Sequence, residues 1–186
     1  MKAIRQANLP LNPPDDDVED YQPTSEDSQL SDSHFSFVFL SHTTRDEEMI
    51  KARILPVLKR FFGQVFMMNI GRAKGHPEVI AIYKRRILAG LSRSQWVVVV
   101  LSRNAATSAW VKFEFGWALR HHDHRRITAL VIDDEGHNAF LPVLKFVRTV
   151  HAPETSPKTE RAIERALKRS GAKESKDPPE FFMNSS

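Results

Sequence analysis

Trp96-Val97-Val98-Val99-Val100-Leu101 is an unbroken apolar run rich in β-branched residues. A strand with one wet face alternates apolar and polar side chains. A strand with no alternation is buried on both faces, which occurs in parallel sheets covered by helices. Phe35–Leu40, running into Ser41-His42, and Ile127–Ile132, running into Asp133-Asp134, repeat the pattern. Gln64–Met68 and Phe146–Val150 are weaker candidates for two more strands. Helical spacing fills the gaps over 46–62, 77–90, 108–121 and 157–169. Pro56 lies inside the first of these and predicts a kink or a split. Ser156-Pro157 predicts the start of the last helix and Gly171 its stop. Strand and helix alternate, so the expected fold is α/β: a doubly wound parallel five-stranded sheet in the order 2-1-3-4-5.

Charge divides the chain. Residues 1–34 hold eight acids against Lys2 and Arg5, a net of −6, while the whole chain is +4, so the remainder carries +10. Residues 1–33 are rich in Pro, Asp, Ser and Gln and read as a disordered acidic arm. The folded domain is expected over 34–170 and a flexible tail over 171–186. No apolar run approaches the length of a membrane span, and the N-terminus has no apolar leader core. The chain has no cysteine, which excludes disulfides, thiolate metal sites and a Cys nucleophile. A cytoplasmic location is the simplest expectation.

In open α/β sheets ligands bind beyond the carboxyl ends of the strands, at the switch point between strands 1 and 3. Those ends read Ser41-His42-Thr43-Thr44 and Ser102-Arg103-Asn104. The sequence has no P-loop, no glycine-rich dinucleotide fingerprint after strand 1 and no G-x-S-x-G nucleophile elbow. An acidic phospho-receiver cluster is also missing. The helix after strand 3 is more informative. Trp110, Glu114, Trp117, Ala118 and His121 fall on one stripe. A carboxyl held against tryptophan has a raised pKa through desolvation, which marks Glu114 as a site candidate. The competing reading is a Glu paired with an Arg of a neighbouring helix, and spacing alone leaves both open.

These residues resemble a TIR (Toll/interleukin-1 receptor) domain of the bacterial type. The matching pieces are Phe37–His42 followed by Asp46, Ser92-Arg93-Ser94, and Val98–Ser102 with Asn104. The clearest is Ser108-x-Trp110-Val111-x-x-Glu114, a W-x-x-x-E pattern. The resemblance covers residues 35 to about 150. It implies a flavodoxin-like fold. It also implies that Glu114 is the catalytic residue of an enzyme that splits NAD into nicotinamide and ADP-ribose or a cyclic variant. NAD is then substrate, and no cofactor or metal is expected. Trp110, Ser41 and Thr43 are the implied substrate contacts. Asn69, Arg72 and Lys74 join them from the loop after strand 2, where cationic side chains suit a pyrophosphate.

That loop departs from the family pattern. Met68-Asn69 stands where an acidic residue is common, and His76-Pro77 where an aromatic is common. The resemblance further implies head-to-tail self-association, a separate sensor or TIR partner, and a role as defence effector or signalling enzyme. The alternatives are a non-catalytic TIR scaffold or adaptor, and a nucleoside deoxyribosyltransferase-like enzyme that also uses a Glu on this scaffold. Ser41, His42 and Asp46 lie too close in sequence to favour a hydrolytic triad. His121-His122-Asp123-His124 reads as helix-terminal charge and not as a metal site. The basic residues are spread over several helices without an aromatic platform, which argues against nucleic acid.

Overall fold

The computed structural model describes Leu9 and residues 37–67, 77–153, 156 and 158–174. The apolar runs become β1 (Phe37–Ser41), β2 (Gln64–Phe66), β3 (Trp96–Leu101), β4 (Ile127–Val131) and β5 (Arg148–His151). They form one all-parallel sheet in the order β2-β1-β3-β4-β5. β3 is central, with Leu40 opposite Val98 on one side and Val98 opposite Thr128 on the other.

Parity along β3 divides its side chains between two cores. Val97, Val99 and Leu101 join Phe39, Ile127 and Ala129 in one cluster. Val98 and Val100 join Val38, Leu40 and Leu130 in the other. The first core is closed by α2 (Pro77–Arg93), α3 (Arg103–Thr107), α4 (Ala109–His121) and α5 (Asp134–Leu144). The second is closed by α1, over 47–61, and α6 (Thr159–Arg169). Leu9 is also buried, in the first core. The rest of the acidic arm lies outside the described residues.

Pro56 does not split α1. The turn before it, Ile50–Ile54, is a π-turn in which the Leu55 N–H reaches back five residues to the Ile50 carbonyl. A proline ring collides with the carbonyl four residues earlier, here Ala52, and lacks an N–H to bond it. The wider turn lets the helix continue to Phe61. The last helix begins at Thr159, two residues later than the sequence predicts, with the Thr159 N–H on the Ser156 carbonyl. It ends as predicted at Gly171, where φ is +89°. There the Ala172 and Gly171 N–H groups bond the Leu167 and Lys168 carbonyls, a Schellman closure that needs a left-handed residue. Beyond it, Ala172 packs into the second core and Glu174 pairs with Arg60 and Lys168.

Helices α3 and α5 have no counterpart in the sequence-based expectation. Both start on side-chain caps. Ser102 Oγ accepts from the Ala105 N–H. Asp133 accepts from the Gly136 N–H at 2.7 Å and, through its other oxygen, from the Arg103 N–H at 2.8 Å. One carboxylate thus serves the N-termini of two helices. It also brings α5 so close to β3 that a Cβ on Gly136 would lie 2.4 Å from the Leu101 carbonyl oxygen. Gly136→Ala is expected to lower unfolding free energy by about 1–3 kcal/mol, since backbone must shift to admit the methyl. Urea denaturation at unchanged m-value checks it.

Candidate functional site

The switch point lies where β1 and β3 end side by side and their following loops diverge to opposite layers. Asp46, in the 3-10 turn Thr44–Asp46, ties the two ends together. Its Oδ2 accepts from Thr43 Oγ1 at 2.7 Å and from Ser102 Oγ at 2.6 Å. Its Oδ1 accepts from Asn104 Nδ2 at 2.6 Å. The Ser102 hydroxyl donates to Asp46 while accepting from the Ala105 N–H, so it links the clamp to the start of α3. The scattered motif residues Asp46, Ser102 and Asn104 therefore make one hydrogen-bonded unit. Hydrogen bonds to a carboxylate are among the stronger ones. Asp46→Ala removes three acceptor contacts and is expected to cost about 2–4 kcal/mol by thermal or chemical denaturation.

Glu114 sits deeper. Ser108 caps α4, its Oγ accepting from the Val111 N–H at 3.3 Å. That fixes the helix start and turns Val111, Glu114, Phe115 and Ala118 inward. Phe113 and Gly116 are also buried, so α4 is enclosed on most sides, as expected for a helix with apolar residues almost all round. Glu114 is 6% exposed. Its Oε2 accepts from Ser41 Oγ at 2.5 Å, at the carboxyl end of β1. Among the described residues no Arg or Lys forms an ion pair with it, so the reading of a Glu neutralised by a neighbouring Arg does not hold.

Burial pushes the Glu114 carboxyl up to about 8, and the Ser41 hydrogen bond offsets this only in part. The group is therefore mostly protonated at neutral pH. His42 takes no part in the pair. Its Nδ1 faces the Leu40 carbonyl at 3.2 Å, and desolvation holds its pKa below the usual value. Ser41, His42 and Asp46 each face different partners, and no triad assembles.

The other candidate residues divide by location. Thr43 is partly buried and its hydroxyl is engaged by Asp46. Trp110 is partly buried, packs on the first core, and meets Phe113 edge-to-face at 5.9 Å. Trp117 meets His121 in a tilted contact at 4.4 Å, farther along α4. Asn69, Arg72 and Lys74 lie outside the described residues. His122 and His124 each face a backbone carbonyl, of Leu91 and Leu119. No cluster of three metal-ligating side chains occurs among the described residues. No helix among them is long and apolar enough to cross a membrane. The sequence reading missed the partnership of Ser41 with Glu114. The only signal for it was that Ser41 ends β1 and Glu114 lies in the early part of the helix that follows β3, on the same side of the sheet's carboxyl ends.

Fold and site together define a doubly wound α/β domain with a buried carboxyl at its switch point. The family model for the TIR domain matches residues 38–167, and the chain belongs to that family. No curated protein and no solved structure matches it.

The buried carboxyl has a thermodynamic signature. Between pH about 4.5 and about 8 the folded chain holds a proton on Glu114 that the unfolded chain has released. Stability therefore falls as pH rises through this window, by up to about 5 kcal/mol from this group. Glu114→Gln keeps an acceptor for Ser41 and removes the titration. Its unfolding free energy is expected to fall less steeply over that range and to exceed the wild type's above pH 8.

Proposed function

We propose that this chain is a TIR-domain NAD glycohydrolase with Glu114 as its catalytic carboxylate. The observation that carries the reading is the Ser41–Glu114 pair, a carboxyl in a desolvated setting at the carboxyl end of the central strands. Cleavage breaks the bond between the ribose C1′ and the nicotinamide nitrogen. The bonding electrons go to the pyridinium ring, which leaves as neutral nicotinamide and needs no acid. Positive charge develops at C1′ and its ring oxygen, and an ionised Glu114 stabilises it at short range in a low dielectric. Water adds at C1′ and releases a proton, giving ADP-ribose. Capture of C1′ by an adenine nitrogen of the same molecule gives a cyclic product.

The raised pKa fits this sequence of events. In the free protein the carboxyl is neutral and hydrogen-bonded. The pyridinium of bound NAD brings a positive charge beside it, which favours ionisation. The Ser41 hydroxyl favours the charged form too. In this reading self-association through TIR–TIR contacts, with a second TIR completing the active site, switches the activity on in a defence or signalling role.

A second reading is a TIR scaffold or adaptor. It is favoured by the same pair, because a neutral carboxylic acid and a serine hydroxyl satisfy each other as a core contact without any substrate. Nicotinamide release from NAD by concentrated or artificially clustered protein separates the two. Release is expected from the wild type and is expected to drop by about 100- to 1000-fold in Glu114→Ala. No release from folded, clustered protein favours the scaffold. Base exchange on a deoxyribonucleoside without NAD cleavage favours the transferase. The pH profile is a further check. With Glu114 ionisation limiting, kcat/KM is expected to rise about tenfold per pH unit below pH 8 and level off above it. Ser41→Ala removes a donor to the charged form, so the inflection moves to higher pH and activity at pH 7 falls.

A further inference from the structure

The outer edge of the sheet carries a concentration of positive charge that the proposed reaction does not use. β5 pairs only with β4, and its other edge has no strand partner among the described residues. Beside that edge, β5 and α6 border two adjoining hollows of about 290 and 600 Å³ that share Arg165. Arg148 and Arg169 line the first and Arg161 the second.

Among the described residues none of these four arginines pairs with a carboxylate, and two of them meet backbone. Arg148 donates to the Arg169 carbonyl at 3.4 Å, and Arg165 to the Arg161 carbonyl at 3.3 Å. The buried Nε of Arg148 has no hydrogen-bond partner among the described residues. Among the described residues Glu164 is the one acid in the lining, and it is held by Arg60 and Lys168. Elsewhere on α1 and α6 the cations Arg53, Arg60 and Lys168 do have carboxylate partners. Arg161, Arg165 and Arg169 repeat every four residues, so like charges stack along one face of α6, which is unfavourable without a counter-charge.

We propose that this groove binds the acidic segment Asp15–Asp20 of the same chain. Five of those six residues are acids, the densest such run in the sequence. Carboxylates suit unpaired guanidiniums, and an extended segment also suits an unpaired strand edge. The lengths agree. β5 lies three strand spacings from β1, about 15 Å. The seventeen residues from Asp20 to Phe37 span up to about 55 Å when extended. At the other end, Leu9 is fixed in the first core. The six residues from there to Asp15 reach at most about 20 Å, so the acids stay near the domain surface.

Because the chain has no cysteine, Val18→Cys accepts a single nitroxide label on the full-length protein. At low salt the label is expected to broaden the backbone amide signals of Arg148–His151 and of α6. The signals should recover near 1 M salt, where screening acts within about 3 Å. They should also recover in Arg165→Glu/Arg169→Glu, which alters exposed side chains only. Broadening confined to another surface, or none, overturns the proposal. So does broadening that appears when labelled protein is mixed with isotope-enriched unlabelled protein, since that places a second copy's arm in the groove. A short oligonucleotide supplies an independent measure. It is expected to bind about tenfold tighter once the five acids of the segment are neutralised to Asn and Gln. Equal affinity before and after neutralisation overturns the proposal as well.

Discussion

Val97, Val98, Val99, Val100 and Leu101 are fully buried, and alternate residues of this one strand belong to two different cores. Each core needs the other, because neither helical layer has an apolar surface to cover except the face of the sheet that β3 centres. The parallel arrangement follows, since strands buried on both faces need crossover helices on both sides. So does the switch point, where successive crossovers from β1 and β3 leave toward opposite layers. The clamp at Asp46 and the shared cap at Asp133 then close the carboxyl ends of β1, β3 and β4 with carboxylates facing hydroxyl, amide and helix N–H donors. These groups remain polar and satisfied at the one end of the sheet where the chain must leave the cores.

Glu114 stands against that economy. Every other carboxylate described near the switch point accepts several hydrogen bonds or faces solvent. Glu114 is enclosed by α4 and meets a single hydroxyl. Its neutral form suits the folded protein, and in the enzyme reading its charged form suits an electron-poor ligand. A residue that opposes stability in its charged state and has no structural counter-ion is where chemistry is expected on this fold. The same property makes it a stable neutral core contact when no ligand is present, and both readings of the domain grow from this one pair.

Much of this was legible in the chain. The five strands and four of the helices follow from runs without alternation and from spacing near 3.6, and the order from what small doubly wound sheets most often adopt. Glu114 stood out as a carboxyl in an aromatic stripe. Helices α3 and α5 were not legible, because each is short and begins on a cap whose partners are set by the sheet. Asp133 looked like a strand ending, and only the approach of β3 to β4 lets its two oxygens reach Arg103 and Gly136. Continuity of α1 through Pro56 was also hidden, because a π-turn leaves no mark in the apolar spacing.

The sequence by itself determined the class of fold and singled out Glu114, since both depend on which side chains must avoid water. The tertiary structure decided what those side chains meet. Seventy-three positions separate Ser41 from Glu114 and fifty-eight separate Asp46 from Asn104. Contacts that distant are made by the packing of α4 and the turn after β1 on one strand end. The same packing decided that Glu114 faces a hydroxyl and not a cation. The aromatic stripe pointed to a raised pKa, but its rise to about 8 and its single partner Ser41 are properties of that enclosure.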